Sequence, residues 1–310
     1  MTLKNIMIKR KLKSCNAIVD SITLNILYIF YGFMKNYVKS KFRFEKVSKL
    51  KKFKSSDTLI ILGAGESANR LKDFNLKLLD GFDVAGLSYS CVLPIVKDFY
   101  FYETPASYDK DALTEHVKKI FPEVVNSIED KNIICNIWKN SEDASATSLF
   151  NLDSFRVINV CHILSNNIIV IRRLYRYFHA LRLDNFFLMQ KRGSIAAIIN
   201  FANLLKYKRV IFVGVDLNNS VYFFNKDETY KKYNFNNPFG YDDNKGSSTV
   251  HLTNDKSKGV PISSVIEAMA KEFNNIDFFT SSDSSLLASF LPVWSFEKKL
   301  RVSSKNRKKA

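Results

Sequence analysis

A glycine-rich turn is the first group of residues whose types and spacing could do chemistry, because such a turn can bind phosphate. The apolar run 59–62 predicts a buried parallel strand, and Gly63 and Gly65 follow it where the backbone must turn tightly. Ser67 lies where the first free N–H groups of a following helix would point, and that end of a helix attracts phosphate. The sequence therefore predicts a nucleotide or nucleotide-sugar site at the carboxyl end of the first strand of an open α/β sheet.

The same turn fits the dinucleotide-binding pattern, which leaves a nucleotide-dependent oxidoreductase as an alternative. Gly63, Gly65 and Ala68 have the spacing G-x-G-x-x-A. An NAD enzyme also needs an acidic residue at the end of the second strand, about 20 residues further on, to hold the ribose. Asp83 has this spacing, but it opens the predicted second strand, which ends at Ser88. This position argues against NAD, and a tight connection without any ligand is a further alternative.

No pattern of residues in the sequence calls for a metal ion. The four cysteines and four histidines are scattered, without the spacings of zinc sites or of a disulfide framework. One D-x-D pattern occurs, Asp109-Lys110-Asp111, but it opens a predicted helix, where acidic residues are typical of a cap and a first turn. We expect no metal and no cofactor, and a reducing cytoplasm.

The positive charge of the chain is concentrated at its two ends. The net charge of the 310 residues is +17. Residues 1–54 contribute +12 and residues 297–310 contribute +6, which leaves −1 on the remainder. A protein that binds nucleic acid would carry this charge across its folded face, so we expect no nucleic-acid partner. Two basic ends on a near-neutral body instead predict attraction to an anionic membrane surface.

An apolar segment lies within the basic amino-terminal region. Residues 17–34 are too short and too polar to span a bilayer. Their apolar residues recur at helical spacing on one face, and lysines flank them on both sides. The pattern predicts a helix in the membrane interface of a cytoplasmic protein, peripheral on the inner face of the cytoplasmic membrane. A helix packed on the core or on a partner subunit, as in a homo-oligomer, is equally compatible with the pattern.

From residue 55 the sequence alternates strand and helix patterns, which predicts a single Rossmann-like α/β domain with a mostly parallel sheet. The predicted strands are 59–62, 84–88, 98–102, 132–136, 156–160, 209–213 and 277–280. The predicted helices are 67–76, 110–120, 164–182, 194–205, 262–273 and 284–290. The polar stretch 218–261 is far longer than an ordinary connection and predicts a lid. The chain is thus divided into a basic amphipathic segment (1–54), a main domain (55–296) and a basic tail (297–310).

Further motifs follow the glycine turn in a fixed order. The sequence KRGS opens a helix, GVD ends a buried strand, the lid contains tyrosines and a histidine, and DSSLL follows the last strand. In this order the chain resembles the bacterial sialyltransferases of glycosyltransferase family 42, from about residue 57 to residue 290. Those enzymes transfer sialic acid from CMP-sialic acid to lipooligosaccharide. The resemblance implies a GT-A-like fold with a lid subdomain and a metal-independent transfer.

The resemblance also implies which residues bind the donor. GAGES is similar to the family's G-N-G-P-S turn, with Ala64 and Glu66 as the changed positions. KRGS is similar to R-I-T-S, and DSSLL to the end of C-P-N-S-L-L. The implied donor-binding residues are Gly63, Ala64, Gly65, Ser67, Ser88, Glu103, Lys191, Ser194, Asn218, Ser284 and Ser285. Ser88 and Glu103 replace asparagines of the family pattern, so the donor could also be another CMP-linked ulosonic sugar, such as Kdo, legionaminic acid or pseudaminic acid.

The catalytic residues implied by the resemblance are His251 and Tyr222. His251 lies in the region of the family's general base, and histidine suits this task because its usual pKa is near the working pH. Tyr222 lies near a tyrosine that binds the departing phosphate, which Lys191 or Arg192 could also neutralise. The implied partners are a CMP-sugar donor and a glycan or glycolipid acceptor, of lipooligosaccharide or capsule. A non-catalytic nucleotide-sugar or polysaccharide-assembly module remains an alternative.

Overall fold

The computed structural model describes the residues 16–39, 44–69, 71, 79, 81–95, 97–103, 122–127, 133–136, 156–218, 221–226, 228–233 and 251–296. Its helices are α1 (Asn16–Lys39), α2 (Ile168–Ala180), α3 (Ser194–Leu204) and α4 (Ile262–Glu272), with a short helical segment at residues 122–126. Its strands are β1 (Thr58–Leu62), β2 (Asp83–Leu87), β3 (Phe99–Glu103), β4 (Ile133–Asn136), β5 (Arg156–Val157), β6 (Val160–His162), β7 (Leu188–Gln190), β8 (Arg209–Val213) and β9 (Asp277–Thr280).

A seven-stranded parallel sheet forms the centre of the protein. Its strand order is β5-β4-β3-β2-β1-β8-β9, and a separate two-stranded parallel sheet contains β6 and β7. Strands β2 to β5 extend from one side of β1, whereas β8 and β9 extend from its other side. The order of the strands therefore reverses between β1 and β8. In open α/β sheets such a reversal opens a crevice at the carboxyl ends of the strands, where ligands bind.

Strand β1 is buried on both faces, which explains its uninterrupted apolar sequence. Leu59 and Ile61 point to the face that also packs against α3 and α4. Ile60 and Leu62 point to the opposite face, where they join a second apolar cluster. Successive side chains of a strand alternate in this way, so β1 contributes side chains to both apolar clusters of the core.

The predicted α/β class with a mostly parallel sheet is confirmed, and the bounds of β8 and β9 are as predicted. The predicted strand 156–160 is wrong, because β5 ends at Val157 in the main sheet and β6 begins at Val160 in the small one. Strand β7, three residues long, was not predicted. The predicted helix 284–290 is a 3₁₀ turn, Leu286–Ser289, and the predicted helix 67–76 begins as a 3₁₀ turn, Glu66–Asn69. The predicted helix 110–120, with Asp109 and Asp111, lies outside the described residues.

Helix α1 packs on the core through one of its faces. Ile22 and Ile29 are buried, and the Asn25 Oδ1 atom accepts hydrogen bonds from the Leu164 and Ser165 N–H groups at 2.9 and 3.0 Å. This face of the helix therefore packs on the core, which was one of the two alternatives left open by the sequence. None of the helices within the described residues is long and apolar enough to cross a membrane.

Candidate functional site

The turns after β1 and β8 lie against each other at the reversal point of the sheet. The Gly63 N–H donates to the Val213 carbonyl oxygen at 2.8 Å, and the Gly65 N–H donates to the Gly214 carbonyl oxygen at 2.7 Å. A Cβ atom on Gly63 would be 2.4 Å from the Gly214 oxygen, and one on Gly65 would be 2.6 Å from the Asp216 Oδ2 atom. Both glycines are needed because the two turns approach so closely, which gives the glycine motif a physical cause.

A serine and an aspartate connect these two turns and retain free polar atoms. The Ser67 N–H donates to the Asp216 Oδ2 atom at 2.8 Å. The Ser67 Oγ and Asp216 Oδ1 atoms are buried and have no hydrogen-bond partner among the described residues, although only 8% and 6% of the two residues is exposed. A buried polar atom without a partner costs about 1–3 kcal/mol. A ligand with complementary hydroxyl or amino groups would remove this penalty.

Residues 222–224, within the stretch 218–261 that the sequence predicts as a lid, attach to the glycine turn. Residues 219–220, 227 and 234–250 of that stretch lie outside the described residues, so the lid stays a prediction. Tyr222 forms an antiparallel bridge with Gly65, and the Phe223 N–H donates to the Ala64 carbonyl oxygen at 3.0 Å. The rings of Tyr222 and Phe224 stack with centroids 5.1 Å apart. The Ala64 backbone thus binds this segment, and the rings of Tyr222 and Phe224 form an aromatic cluster beside the glycine turn.

Tyr89 belongs to the same aromatic cluster, and the sequence analysis missed it. Its ring lies edge-on to Tyr222 and to Phe224, with centroid distances of 5.5 and 5.1 Å. The residue follows Ser88, which has a φ of 55° and directly follows β2 at the same edge of the sheet as the glycine turn. An aromatic residue between two serines at the end of a predicted strand was the available signal.

Glu103 lies farther from the reversal point than the other predicted donor-binding residues. It ends β3, which is separated from β1 by β2, and its register partner in β4 is Asn136. The side chain of Glu103 lies outside the described part of the structure. Its position at the carboxyl edge is therefore established, and its role stays a prediction.

The DSSLL segment packs against the continuation of β8. The Ser285 hydroxyl donates to the Val215 carbonyl oxygen at 2.7 Å and accepts from the Leu287 N–H at 3.2 Å. The Asn218 Nδ2 atom donates to the Ser284 carbonyl oxygen at 2.7 Å, while its Oδ1 atom is buried without a hydrogen-bond partner among the described residues. Ser285 therefore holds this turn in place, and Asn218 keeps a free acceptor near the Asp216 backbone.

The two basic residues of KRGS contact different parts of the protein. The Lys191 Nζ atom donates to the Leu164 carbonyl oxygen at 3.1 Å, and burial, followed by the charge of Arg192, lowers the pKa of Lys191 to about 8. Arg192 has a φ of 67°, and its guanidinium donates to the carbonyl oxygens of Thr253 and Asp255 at 3.3 and 3.0 Å. Arg192 thus holds residues 253–255, which belong to the stretch predicted as a lid. Ser194 is buried at the first position of α3.

His251 lies close to Tyr222. Its backbone N–H donates to the Leu217 carbonyl oxygen at 3.3 Å, and its ring centroid is 6.5 Å from that of Tyr222. Its Nδ1 atom is 2.8 Å from the Thr253 Oγ1 atom and 3.3 Å from the Thr253 N atom. Burial lowers the pKa of His251, so the imidazole is neutral at pH 7. The structure therefore brings His251, Tyr222 and the glycine turn together.

Asp83 lies at the opposite edge of the sheet from this site. Its carboxylate accepts hydrogen bonds from the Ser55 N–H and from the Tyr207 hydroxyl, the latter at 2.5 Å. The residue is fully buried at the start of β2. Its carboxylate therefore serves the fold and cannot hold a ribose at the carboxyl end of β2.

Among the described residues, no group of three or more His, Cys, Asp and Glu side chains could hold a metal ion. The Asp109 and Asp111 pair lies outside the described ranges. Independence from metal therefore stays a prediction.

Several solved structures of sialyltransferases are similar to this chain. The α-2,3-sialyltransferase Cst-I from Campylobacter jejuni is 17% identical, with a TM-score of 0.45 over 78% of this chain and 82% of that chain. CstII from Campylobacter jejuni, in complex with CMP, is 17% identical, with a TM-score of 0.42 over 77% and 85%. CST-II with a trisaccharide acceptor and CMP is 17% identical, with a TM-score of 0.41 over 76% and 85%.

These structures come from the kind of enzyme that the sequence motifs resemble. No protein-family model matches the chain. No curated protein sequence matches it either. The identities and TM-scores above are too low to transfer an activity.

Proposed function

We propose that this protein transfers sialic acid or a related ulosonic sugar from a CMP-sugar to a glycan acceptor. The observation that carries the proposal is the convergence of three features at the reversal point of the sheet. These are the glycine turn, the buried free acceptors of Ser67 and Asp216, and the pair formed by Tyr222 and His251. A phosphate binder alone would need only the first feature.

His251 is the proposed general base. The acceptor hydroxyl oxygen attacks the anomeric carbon of the donor sugar, the bond from that carbon to the CMP phosphate oxygen breaks, and His251 takes the hydroxyl proton. Use of Nε2 requires the tautomer in which Nδ1–H donates to the Thr253 Oγ1 atom at 2.8 Å. In that tautomer the Thr253 N–H, which donates to an unprotonated Nδ1 atom at 3.3 Å, loses this partner, and the Thr253 hydroxyl alone orients the ring.

Tyr222 is the proposed partner of the departing phosphate. Its backbone pairs with Gly65, so its position is fixed relative to the glycine turn. The N–H groups of Gly63, Gly65 and Ser67, which the sequence predicted to face a phosphate, already donate to protein oxygens, so the phosphate needs donors from side chains. A hydroxyl aimed at the developing charge stabilises CMP as it leaves. The positively charged form of Lys191 would add to this effect, and its pKa of about 8 leaves that form predominant at pH 7.

The acceptor is proposed to be a cell-surface glycan, either lipooligosaccharide or capsule, as the family resemblance implies. The choice among sialic acid and the other CMP-linked ulosonic sugars depends on the sugar pocket, where Ser88 and Glu103 replace asparagines of the family pattern. Ser88 directly follows β2 and Glu103 ends β3, so both lie at the carboxyl edge of the sheet, which supports the proposal that they contact the donor.

Calorimetry with CMP in the presence of EDTA tests the nucleotide. We expect binding of CMP and of CMP-sialic acid, and much weaker binding of NAD and UDP. Preference for NAD, or for a UDP-sugar with manganese, would overturn the proposal.

Hydrolysis of CMP-sialic acid without acceptor, followed by release of CMP, tests the chemistry. Turnover that is lost in His251→Ala supports the transferase. Binding of the CMP-sugar without turnover, for every CMP-linked ulosonic donor tried, would identify the non-catalytic module instead.

A further inference from the structure

Helix α1 has an exposed apolar flank in addition to the face that packs on the core. Leu27, Phe30 and Met34 recur at intervals of three and four residues, so they form one stripe along the helix. Leu27 and Met34 are 53% and 52% exposed. Burial of the inward face thus leaves a second row of large apolar side chains in water.

The carboxyl end of α2 extends this stripe. The Phe30 ring lies 6.3 Å from the Phe178 ring, and Phe178 lies between the exposed residues Tyr177 and Leu181 in the α2 sequence. Leu181 is 66% exposed. The opposite flank of α2 is occupied, because Arg176 makes two hydrogen bonds to Glu272 of α4 at 2.6 and 2.9 Å.

A third contribution comes from the turn after α2. The Phe33 ring of α1 lies 5.6 Å from the Phe187 ring, and the next residue back, Phe186, is exposed. The outer apolar surface is defined here as Leu27, Phe30, Met34, Tyr177, Leu181 and Phe186. It draws on three separate segments of the chain, so folding and not sequence brings it together.

Exposed cations border the outer apolar surface. The Lys46 Nζ atom lies 5.1 Å from the centroid of the Phe186 ring, and Arg173 and Arg182 are exposed on α2 and directly after it. The acidic residue of this turn, Asp184, is buried, with its Oδ2 atom 2.9 Å from the His179 Nδ1 atom. The exposed cations Lys46, Arg173 and Arg182 outnumber the half-buried Glu45 that precedes Lys46, so the rim is positive.

We propose that the outer apolar surface docks on an anionic phospholipid bilayer. Apolar and aromatic side chains enter the boundary between headgroups and acyl chains, while a basic rim contacts the anionic headgroups. A second copy of the chain fits less well. A two-fold contact would place the surface against itself and bring Lys46, Arg173 and Arg182 close to the same cations of the other copy.

This proposal concerns the folded body and not a detachable tail. Ile22 and Ile29 belong to the main core, and Asn25 caps the Leu164 and Ser165 backbone. Removal of residues 1–54 would open that core, so loss of membrane binding in such a truncation would be uninformative. Substitutions at exposed positions leave the core intact and test the surface itself.

The test is sedimentation of the full chain with phosphatidylcholine vesicles that contain or lack phosphatidylserine. We expect binding only with phosphatidylserine at moderate salt. The double variant Lys46→Gln/Arg173→Gln should lower the partition coefficient about 30-fold, because each cation near an anionic leaflet contributes about fivefold. Phe30→Ser/Leu181→Ser should also reduce binding. Matched controls are Lys256→Gln/Lys271→Gln, which removes the same charge elsewhere, and Val293→Ser, which removes an exposed apolar residue.

Selective loss of binding in the surface variants, with unchanged thermal melting, supports the proposal. An equal loss in the Lys256→Gln/Lys271→Gln control would show general charge attraction and would overturn it. Binding that ignores phosphatidylserine would do the same. Light scattering of the protein alone is the last measurement, and a dimer that Phe30→Ser/Leu181→Ser dissociates would assign the surface to a second copy instead.

Discussion

The two oxygens of the Asp216 carboxylate differ in their hydrogen bonding. Its Oδ2 atom accepts from the Ser67 N–H at 2.8 Å, while its Oδ1 atom is buried without a hydrogen-bond partner among the described residues. The first contact holds the turn after β1 against the chain that follows β8, and the second oxygen leaves an acceptor in place for a ligand.

Substitution of Asp216 separates these two roles. We expect Asp216→Asn to keep the fold, because the amide oxygen can still accept from Ser67, and to weaken CMP at least tenfold, because a donor replaces the free acceptor. Asp216→Ala should lose about 1–3 kcal/mol of stability as well. Calorimetry with CMP and thermal melting measure the two effects. Unchanged affinity in Asp216→Asn would restrict the residue to a structural role.

Gly65→Ala tests the close approach of the two turns. A Cβ atom here would lie 2.6 Å from the Asp216 Oδ2 atom and 2.8 Å from the Gly214 oxygen, so the turns must separate. We expect the substitution to lower the free energy of unfolding by about 1–3 kcal/mol. We also expect it to abolish CMP binding. Gly32→Ala is the control, because a Cβ atom at Gly32 in α1 meets no atom within 4 Å. Equal, small effects of the two substitutions would contradict the assigned packing.

His251→Ala should lower the transfer rate about 10²–10⁴-fold and leave the affinity for CMP nearly unchanged. Burial lowers the pKa of His251 below its usual value, so the neutral base persists above that pKa and is lost as the pH falls through it. The wild-type rate should therefore decline only on the acidic side, with a midpoint below 6.5. Absence of this acidic limb, or activity of His251→Ala within a few-fold of wild type, would assign the base to another residue.

Arg192→Met should loosen residues 251–258, the segment that carries His251. The variant keeps the apolar stem but removes the hydrogen bonds to Thr253 and Asp255, each worth about 1.5–3 kcal/mol when the donor is charged. We expect faster amide hydrogen exchange over residues 251–258 and a transfer rate reduced at least tenfold. Arg192→Lys is the matched variant, because it keeps the charge without the forked donor. Exchange that stays at the wild-type rate in Arg192→Met would show that other contacts hold the lid.

Lys97 should make the protein more stable as the pH rises from about 8 to about 9. The side chain is fully buried, its Nζ atom donates to the Leu93 carbonyl oxygen at 3.0 Å, and burial lowers its pKa to about 8. In this window the unfolded lysine holds a proton that the folded one has lost, so the free energy of unfolding increases by up to about 1.4 kcal/mol per pH unit. Lys191 contributes with the same sign.

Urea unfolding at several pH values measures this effect. Lys97→Met should flatten the rise, whereas Lys271→Met, at an exposed position, should not. The window closes near pH 9, where the cysteines of the unfolded chain ionise while buried Cys91 and Cys161 stay protonated, because burial raises their pKa. Near pH 10 the tyrosines of the unfolded chain act in the same direction, since buried tyrosines such as Tyr175 stay neutral. A slope that is the same in Lys97→Met and in wild type would show that Lys97 is charged in the folded protein.

The sequence alone determined the elements whose pattern is local. The apolar runs of β1 and β8 predicted buried parallel strands, because such strands are covered on both faces, and the glycines after β1 predicted a tight turn. The periodic patterns of α3 and α4 gave their bounds to within a residue. The position of Asp83 before its strand was enough to argue against NAD.

Only the tertiary structure decided which residues meet across the sheet. The pairing of Ser67 with Asp216 spans 149 residues, and the clamp from Arg192 to Thr253 spans 61. No local pattern specifies such contacts, because they depend on the strand order that places β8 beside β1. For the same reason, the face of α1 that packs inward and the face that stays exposed could not be told apart, since an amphipathic pattern shows an apolar face without showing what covers it.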